Sequence, residues 1–178
     1  STVDIYKKIF VFTDEKISIT PHDDDYLNAT LYPKLSGKLH LGLLGTLTIV
    51  KGGAIVNELS SYIKIKRLNI PITLIGSSML PLNKDITVTG NYEISDLPVL
   101  ISEYKINVVF ISSIVPETFS YTVSEAIKMK LPIICFDLGA QGNRVKNYDL
   151  GQVMPLKSTS KEILMAAQAL LKKAQNKK

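Results

Sequence analysis

Short apolar runs, each closed by glycine or a small polar residue, alternate along this chain with segments of helical periodicity. Residues 39–44, 72–75, 85–89, 107–112, 132–136 and 152–154 read as strands. Residues 51–68, 96–104, 120–129 and 158–174 read as helices, opened by Lys51-Gly52-Gly53, Asp96, Ser120 and Ser158-Thr159-Ser160. Residues 139–142 read as a loop. Strands that alternate with helices imply a parallel sheet covered on both faces. No fixed repeat and no low-complexity linker divides the 178 residues, so one doubly wound α/β domain, 1–178, is expected. The opening is less regular. Ser1-Thr2-Val3-Asp4 resembles a capping signal, 5–9 a short amphipathic helix, 16–20 a strand, 21–25 a polar loop and 26–37 irregular chain.

A hydrophobic content of 46% is enough to fold around a core. Twenty-one basic against 16 acidic residues leave a net charge of +5, which favours phosphates or another anionic partner. A lysine-rich solvated surface accounts for the same excess. The lysines are scattered, tryptophan is absent and aromatics do not interleave with basic residues, so nucleic acid is not expected as a partner. A single cysteine, Cys135, lies in an apolar run, where a small buried hydrophobe is its plainest reading. With no internal disulfide possible, a reducing compartment, the cytoplasm, is expected. Two histidines and one cysteine do not compose a metal site, so no metal is expected. No apolar segment approaches the ~20 residues that cross a bilayer. No signal peptide opens the chain, and the start at Ser1 reads as a cut from something longer.

In a parallel sheet the strand ends line one edge, where ligands bind. Here these ends carry Gly45-Thr46, Gly76-Ser77-Ser78, Gly90-Asn91-Tyr92 and Ser112-Ser113. Lys51, at the start of the first helix, is suited to a phosphate, although a solvated lysine fits the position too. Neither a Walker A loop nor Gly-x-Gly-x-x-Gly is present.

Pro116-Glu117-Thr118-Phe119-Ser120-Tyr121-Thr122-Val123-Ser124-Glu125-Ala126 places two carboxylates eight positions apart across a loop-to-helix junction. Val123, Ala126 and Ile127 share the core face, so periodicity reads Glu125 as solvated and Glu117 as a loop acid. A functional reading uses both. A nucleotide sugar has two hydroxyl-bearing rings joined by a diphosphate. Carboxylates accept hydrogen bonds from ring hydroxyls, and helix-start N–H groups suit the diphosphate between them. Five helical residues rise about 7.5 Å, roughly the length of that bridge.

This stretch resembles the Glu-x7-Glu motif of retaining glycosyltransferases of the GT-B fold, in the glycosyltransferase group 1 (family 4) class. The resemblance continues through Lys130-Leu131-Pro132-Ile133-Ile134, a phosphate-loop pattern at Gly45-x-Leu47-x-x-x-Lys51-Gly52, and a base-side pattern at Val88-x-Gly90-x-Tyr92 and Asp96-Leu97. It covers nearly the whole chain. It implies a Rossmann-like domain, the C-terminal donor-binding half of a GT-B enzyme. The N-terminal acceptor domain, with the family's catalytic histidine, would be absent. It further implies that Glu117 binds donor sugar hydroxyls, that Glu125 binds the ribose, and that the backbone at Phe119, Ser120 and Tyr121 holds sugar and phosphate. Lys51 would neutralise the leaving diphosphate, making Glu117 and Lys51 the catalytic pair. Gly45 and Thr46 would form the phosphate loop, with Tyr92 either against the base or an ordinary loop tyrosine.

No cofactor or metal is implied beyond the nucleotide-sugar donor itself. The implied partners are that donor, the missing domain of the same protein and a sugar or lipid-linked acceptor. The implied setting is hexosyl transfer in bacterial surface polysaccharide synthesis, in the cytoplasm or peripherally at the inner membrane face, with the fragment inactive alone. Two departures stand out. Thr46 occupies the place of a family arginine, and 139–143 reads Gly-Ala-Gln-Gly-Asn where the family has two glycines and a glutamate. A non-catalytic scaffold with a degenerate pocket, or half of a sugar-nucleotide epimerase, are the alternatives.

Overall fold

The structure, a computed structural model, describes residues 32–35 and 37–176. The features expected at 1–4, 5–9, 16–20 and 21–25 lie outside the described residues. Strands β1 (Leu41–Leu44), β2 (Ile72–Ile75), β3 (Ile86–Val88), β4 (Val108–Ile111), β5 (Ile133–Phe136) and β6 (Gly151–Met154) form one sheet, in the order β3-β2-β1-β4-β5-β6. Every pairing is parallel, with Leu41 opposite Ile72 on one side and Val108 on the other. The helices are α1 (Gly53–Ile65), α2 (Leu97–Glu103), α3 (Tyr121–Lys128), α4 (Gly139–Lys146) and α5 (Ser160–Gln175), with a 3-10 turn at Ile94–Asp96 before α2. This is the expected doubly wound, Rossmann-like α/β domain.

Side chains alternate between two covered faces, which explains why the central strands β1, β4 and β5 carry no polar side chain. Leu41, Leu43, Val108, Phe110, Ile134 and Phe136 pack with Val56, Leu59, Ile163 and Leu171 of α1 and α5. Their alternates Val109, Ile111, Ile133 and Cys135 pack with Leu97, Ile101, Val123, Ala126 and Val145 of α2, α3 and α4. Phe110 and Phe136 meet edge to face at 5.6 Å. Burying each such side chain contributes about 1.5–3 kcal/mol. The edge strand β3 buries only Ile86, with Thr87 and Val88 exposed. Cys135 is buried, and burial pushes its thiol up to about 12.

Three local expectations change. Residues 139–142 are not a loop but the first turn of α4. That helix is weakly hydrophobic along its own sequence and is held by contacts its residues make elsewhere. Helix α1 stops at Ile65, short of residue 68, because Lys66 caps it and Arg67 turns left-handed at φ 51. Asp96 precedes α2 but gives no side-chain cap; its own backbone is helical, so it continues the 3-10 turn. The cap expected at Thr159 is present as a reciprocal box. Thr159 N–H donates to Glu162 Oε2 at 2.7 Å, and Glu162 N–H donates to Thr159 Oγ1 at 3.3 Å. No described helix is long and apolar enough to cross a membrane.

Candidate functional site

Strand order reverses between β1 and β4, whose chains continue to opposite sides of the sheet. At such a point the loops beyond the carboxyl ends diverge and leave a crevice. A cleft of about 600 Å³ opens there. Leu43, Leu44, Phe110 and Ile111 floor it, and Gly45, Thr46 and Leu47 form one wall. Ser112, Ser113 and the stretch from Pro116 to the start of α3 form the other.

Lys51 is the one cation lining the cleft among the described residues. Its backbone is fixed to the end of β4. Ser112 Oγ donates to the Lys51 carbonyl at 2.6 Å, and Gly52 follows at φ 82. A Cβ on Gly52 would stand 2.0 Å from the Ser112 carbonyl oxygen, so only glycine permits the approach. Lys51 Nζ donates to Glu117 Oε1, closing an ion pair across the cleft. The sequence reading gave these two side chains separate tasks; the structure brings them into direct contact.

Glu117 is set from behind by α4. Its N–H donates to Gln141 Oε1 at 2.9 Å, and its carbonyl accepts from Ala140 N–H at 2.9 Å. Gln141 is fully buried and its Nε2 donates to the Val115 carbonyl at 2.8 Å. Gly139, at φ 48, leaves no room for a side chain against the Glu117 backbone.

Ser120 opens α3 at φ 76 and ψ 87, a left-handed conformation unfavourable for a residue with a Cβ. Its hydroxyl lies 3.3 Å from Thr122 Oγ1. Arg144 of α4 donates through Nη1 to the carbonyls of Phe119, at 3.3 Å, and Ser120, at 3.0 Å. It donates through Nη2 to Ser124 Oγ at 2.7 Å, and its guanidinium lies 4.4 Å from the Phe119 ring centroid. Phe119 in turn meets Tyr121 edge to face at 5.1 Å.

The cleft thus gathers Gly45, Thr46, Lys51, Glu117, Phe119, Ser120 and Tyr121. Tyr92 is not among its lining residues; it borders a separate cavity of about 330 Å³ with Asn91, Asp96 and Leu100. Glu125 is not solvated, as periodicity had it, but 5% exposed. Val123, Ser124, Glu125 and Ala126 are all buried, so α3 is covered on more than one side and its buried stripe is wider than a single-face helix would show. Glu125 Oε2 has no hydrogen-bond partner among the described residues, and burial pushes the carboxyl up to about 7. Gln141 and Arg144 were not singled out from sequence. They stand three apart on α4, a pairing visible only once 139–146 is known to be helical.

No protein-family model and no curated protein sequence matches the chain. Solved structures do. The chain is similar to HepE from Anabaena, determined in complex with UDP-glucose, with a TM-score of 0.61 and 16% identity over 79% of this chain and 41% of that one. It is also similar to the C-terminal domain of LpcC, a glycosyl transferase group 1 family protein from Francisella tularensis. That match has a TM-score of 0.56 and 21% identity over 82% of this chain and 83% of that domain. A glycosyltransferase from Rickettsia africae matches with a TM-score of 0.53 and 18% identity, over 78% of this chain and 44% of that one. The domain has a glycosyltransferase-like fold, that of the C-terminal half of GT-B proteins. It spans about two fifths of the length of the HepE chain it matches.

Proposed function

We propose that this domain binds the nucleotide-sugar donor of a retaining glycosyltransferase of group 1 (family 4), as the C-terminal half of a two-domain enzyme. The observation that carries the reading is the convergence of Lys51, Glu117 and the N-terminus of α3 on one cleft at the sheet's switch point. The likeness to a structure holding UDP-glucose supports the same chemistry.

The charges suggest how the cleft works. Lys51 and Glu117 neutralise each other across the cleft. An incoming diphosphate competes for the lysine, which then balances charge on the departing nucleoside diphosphate together with the positive end of α3. Glu117, released, accepts hydrogen bonds from the sugar hydroxyls. Glu125 Oε2 has no hydrogen-bond partner among the described residues and would accept from a ribose hydroxyl, but the side chain is buried and does not line the cleft, so a ribose reaches it only if its cover moves. The whole enzyme would transfer a hexose without a metal to a sugar or lipid-linked acceptor held by an N-terminal domain. Its setting would be bacterial surface polysaccharide synthesis, in the cytoplasm or at the inner membrane face, and the fragment alone would transfer little.

Calorimetric titration with UDP, GDP and dTDP sugars tests the donor reading. Binding of one of them at or below millimolar ligand is expected, with Lys51→Ala and Glu117→Ala each weakening it about tenfold or more. The absence of binding by wild type and variants alike at millimolar ligand would contradict the reading.

One observation favours a non-catalytic scaffold instead. Thr46 is exposed on the cleft wall and brings no positive charge, leaving Lys51 as the sole lining cation among the described residues. Thr46→Arg separates the two. It should tighten diphosphate binding severalfold in a working cleft and leave a degenerate one unchanged.

A further inference from the structure

Arg144 does not line the cleft, yet it holds the two carbonyls just before the start of α3. In a trans peptide the C=O and N–H point in opposite directions. The peptide after Phe119 carries the N–H of Ser120, and the peptide after Ser120 carries that of Tyr121. Anchoring both carbonyls to one guanidinium on the α4 side therefore turns both N–H groups away from α4. The cleft is bordered by Phe119, Ser120, Tyr121 and Thr122. Ser120 pays a conformational cost at φ 76, and a non-glycine residue keeps such a conformation only where its surroundings impose it. Arg144 is placed to impose it. One planar group reaches three acceptors on residues 119, 120 and 124 and stacks on the Phe119 ring. A lysine, a point charge on a flexible stem, does not reproduce that fork.

We propose that Arg144 is a positioning residue for phosphate recognition. Acting through the backbone of Phe119 and Ser120, and without touching the ligand, it orients the N–H groups at the start of α3 toward a diphosphate. The proposal rests on the donor-binding reading above.

The test compares the 178-residue chain with Arg144→Ala and Arg144→Lys. Each is titrated with whichever of UDP, GDP or dTDP binds wild type, and with the matching nucleoside, with melting curves alongside. Arg144→Ala should lose about tenfold to a hundredfold in diphosphate affinity while nucleoside binding stays unchanged, and Arg144→Lys should recover part of the loss. Millimolar methylguanidinium should restore part of the diphosphate affinity of Arg144→Ala, an effect that general loosening of the domain would not give. If Arg144→Ala shows no cooperative melt, the diphosphate-to-nucleoside ratio of Arg144→Lys decides. Folded variants that bind diphosphate as wild type does, or lose diphosphate and nucleoside equally, overturn the proposal alone. A wild-type chain that binds none of the diphosphates overturns the donor reading and this proposal with it.

Discussion

Glu125 places a carboxyl in the interior, with one oxygen lacking a hydrogen-bond partner among the described residues. Burial raises it from 4.5 to about 7, so the folded state holds the proton more tightly than the unfolded chain does. Its contribution is most favourable below pH 4.5, falls as pH rises from 4.5 to about 7, and is lost above that. The full swing is on the order of 3 kcal/mol. Glu125→Gln should therefore melt at a higher temperature than wild type at pH 8, with the gap closing toward pH 4.5. A gap that does not vary with pH would show that the carboxyl is not buried in charged form. Such a carboxyl, costly when alone, is what a polar ligand atom would satisfy, which connects this residue's energetics to the proposed ribose contact.

Helix α3 and the loop before it form the element on which the site depends. Ser120 is strained at φ 76, and glycine would remove the Cβ that causes the strain. Ser120→Gly should leave the melting temperature unchanged or slightly raised, whereas the β-branched Ser120→Val should destabilise by about 1–2 kcal/mol, read by urea unfolding. Equal losses in both would place the contribution of Ser120 in its hydroxyl contact with Thr122 instead. The legibility of the elements follows from where their stability comes from. β4 and β5 were readable because strands buried on both faces are written as continuous apolar runs, and β2 departs from that only at Thr73. The capping box of α5 was readable because it is local, Thr159 to Glu162. α4 was not, because Gly139-Ala140-Gln141-Gly142-Asn143 has the composition of a turn. Its helix is fixed by long-range bonds from Ala140, Gln141 and Arg144 to residues 115–124. Glu125 was misread for a related reason: periodicity reports one covered face, and α3 has more than one.

At the scale of the molecule, two apolar layers hold a parallel sheet whose loops meet the cleft at one edge. The cleft residues Gly45, Lys51, Glu117 and Ser120 were legible because they sit at strand ends and helix starts, where fold and chemistry coincide. Their mutual arrangement was not, since a loop contact such as Lys51 with Glu117 spans 66 positions that no local pattern encodes. The matched HepE chain is more than twice as long as the part this domain covers, so transfer itself belongs to the proposal for a larger protein. The task proposed for the domain is narrower: to hold an activated sugar by its diphosphate. A crystal structure of the chain soaked with UDP or another nucleoside diphosphate measures this directly. The account requires phosphate oxygens at the N-terminus of α3 and Lys51 drawn away from Glu117 to meet them. Phosphate bound elsewhere, or a cleft without ligand and with the Lys51–Glu117 pair intact, would contradict it.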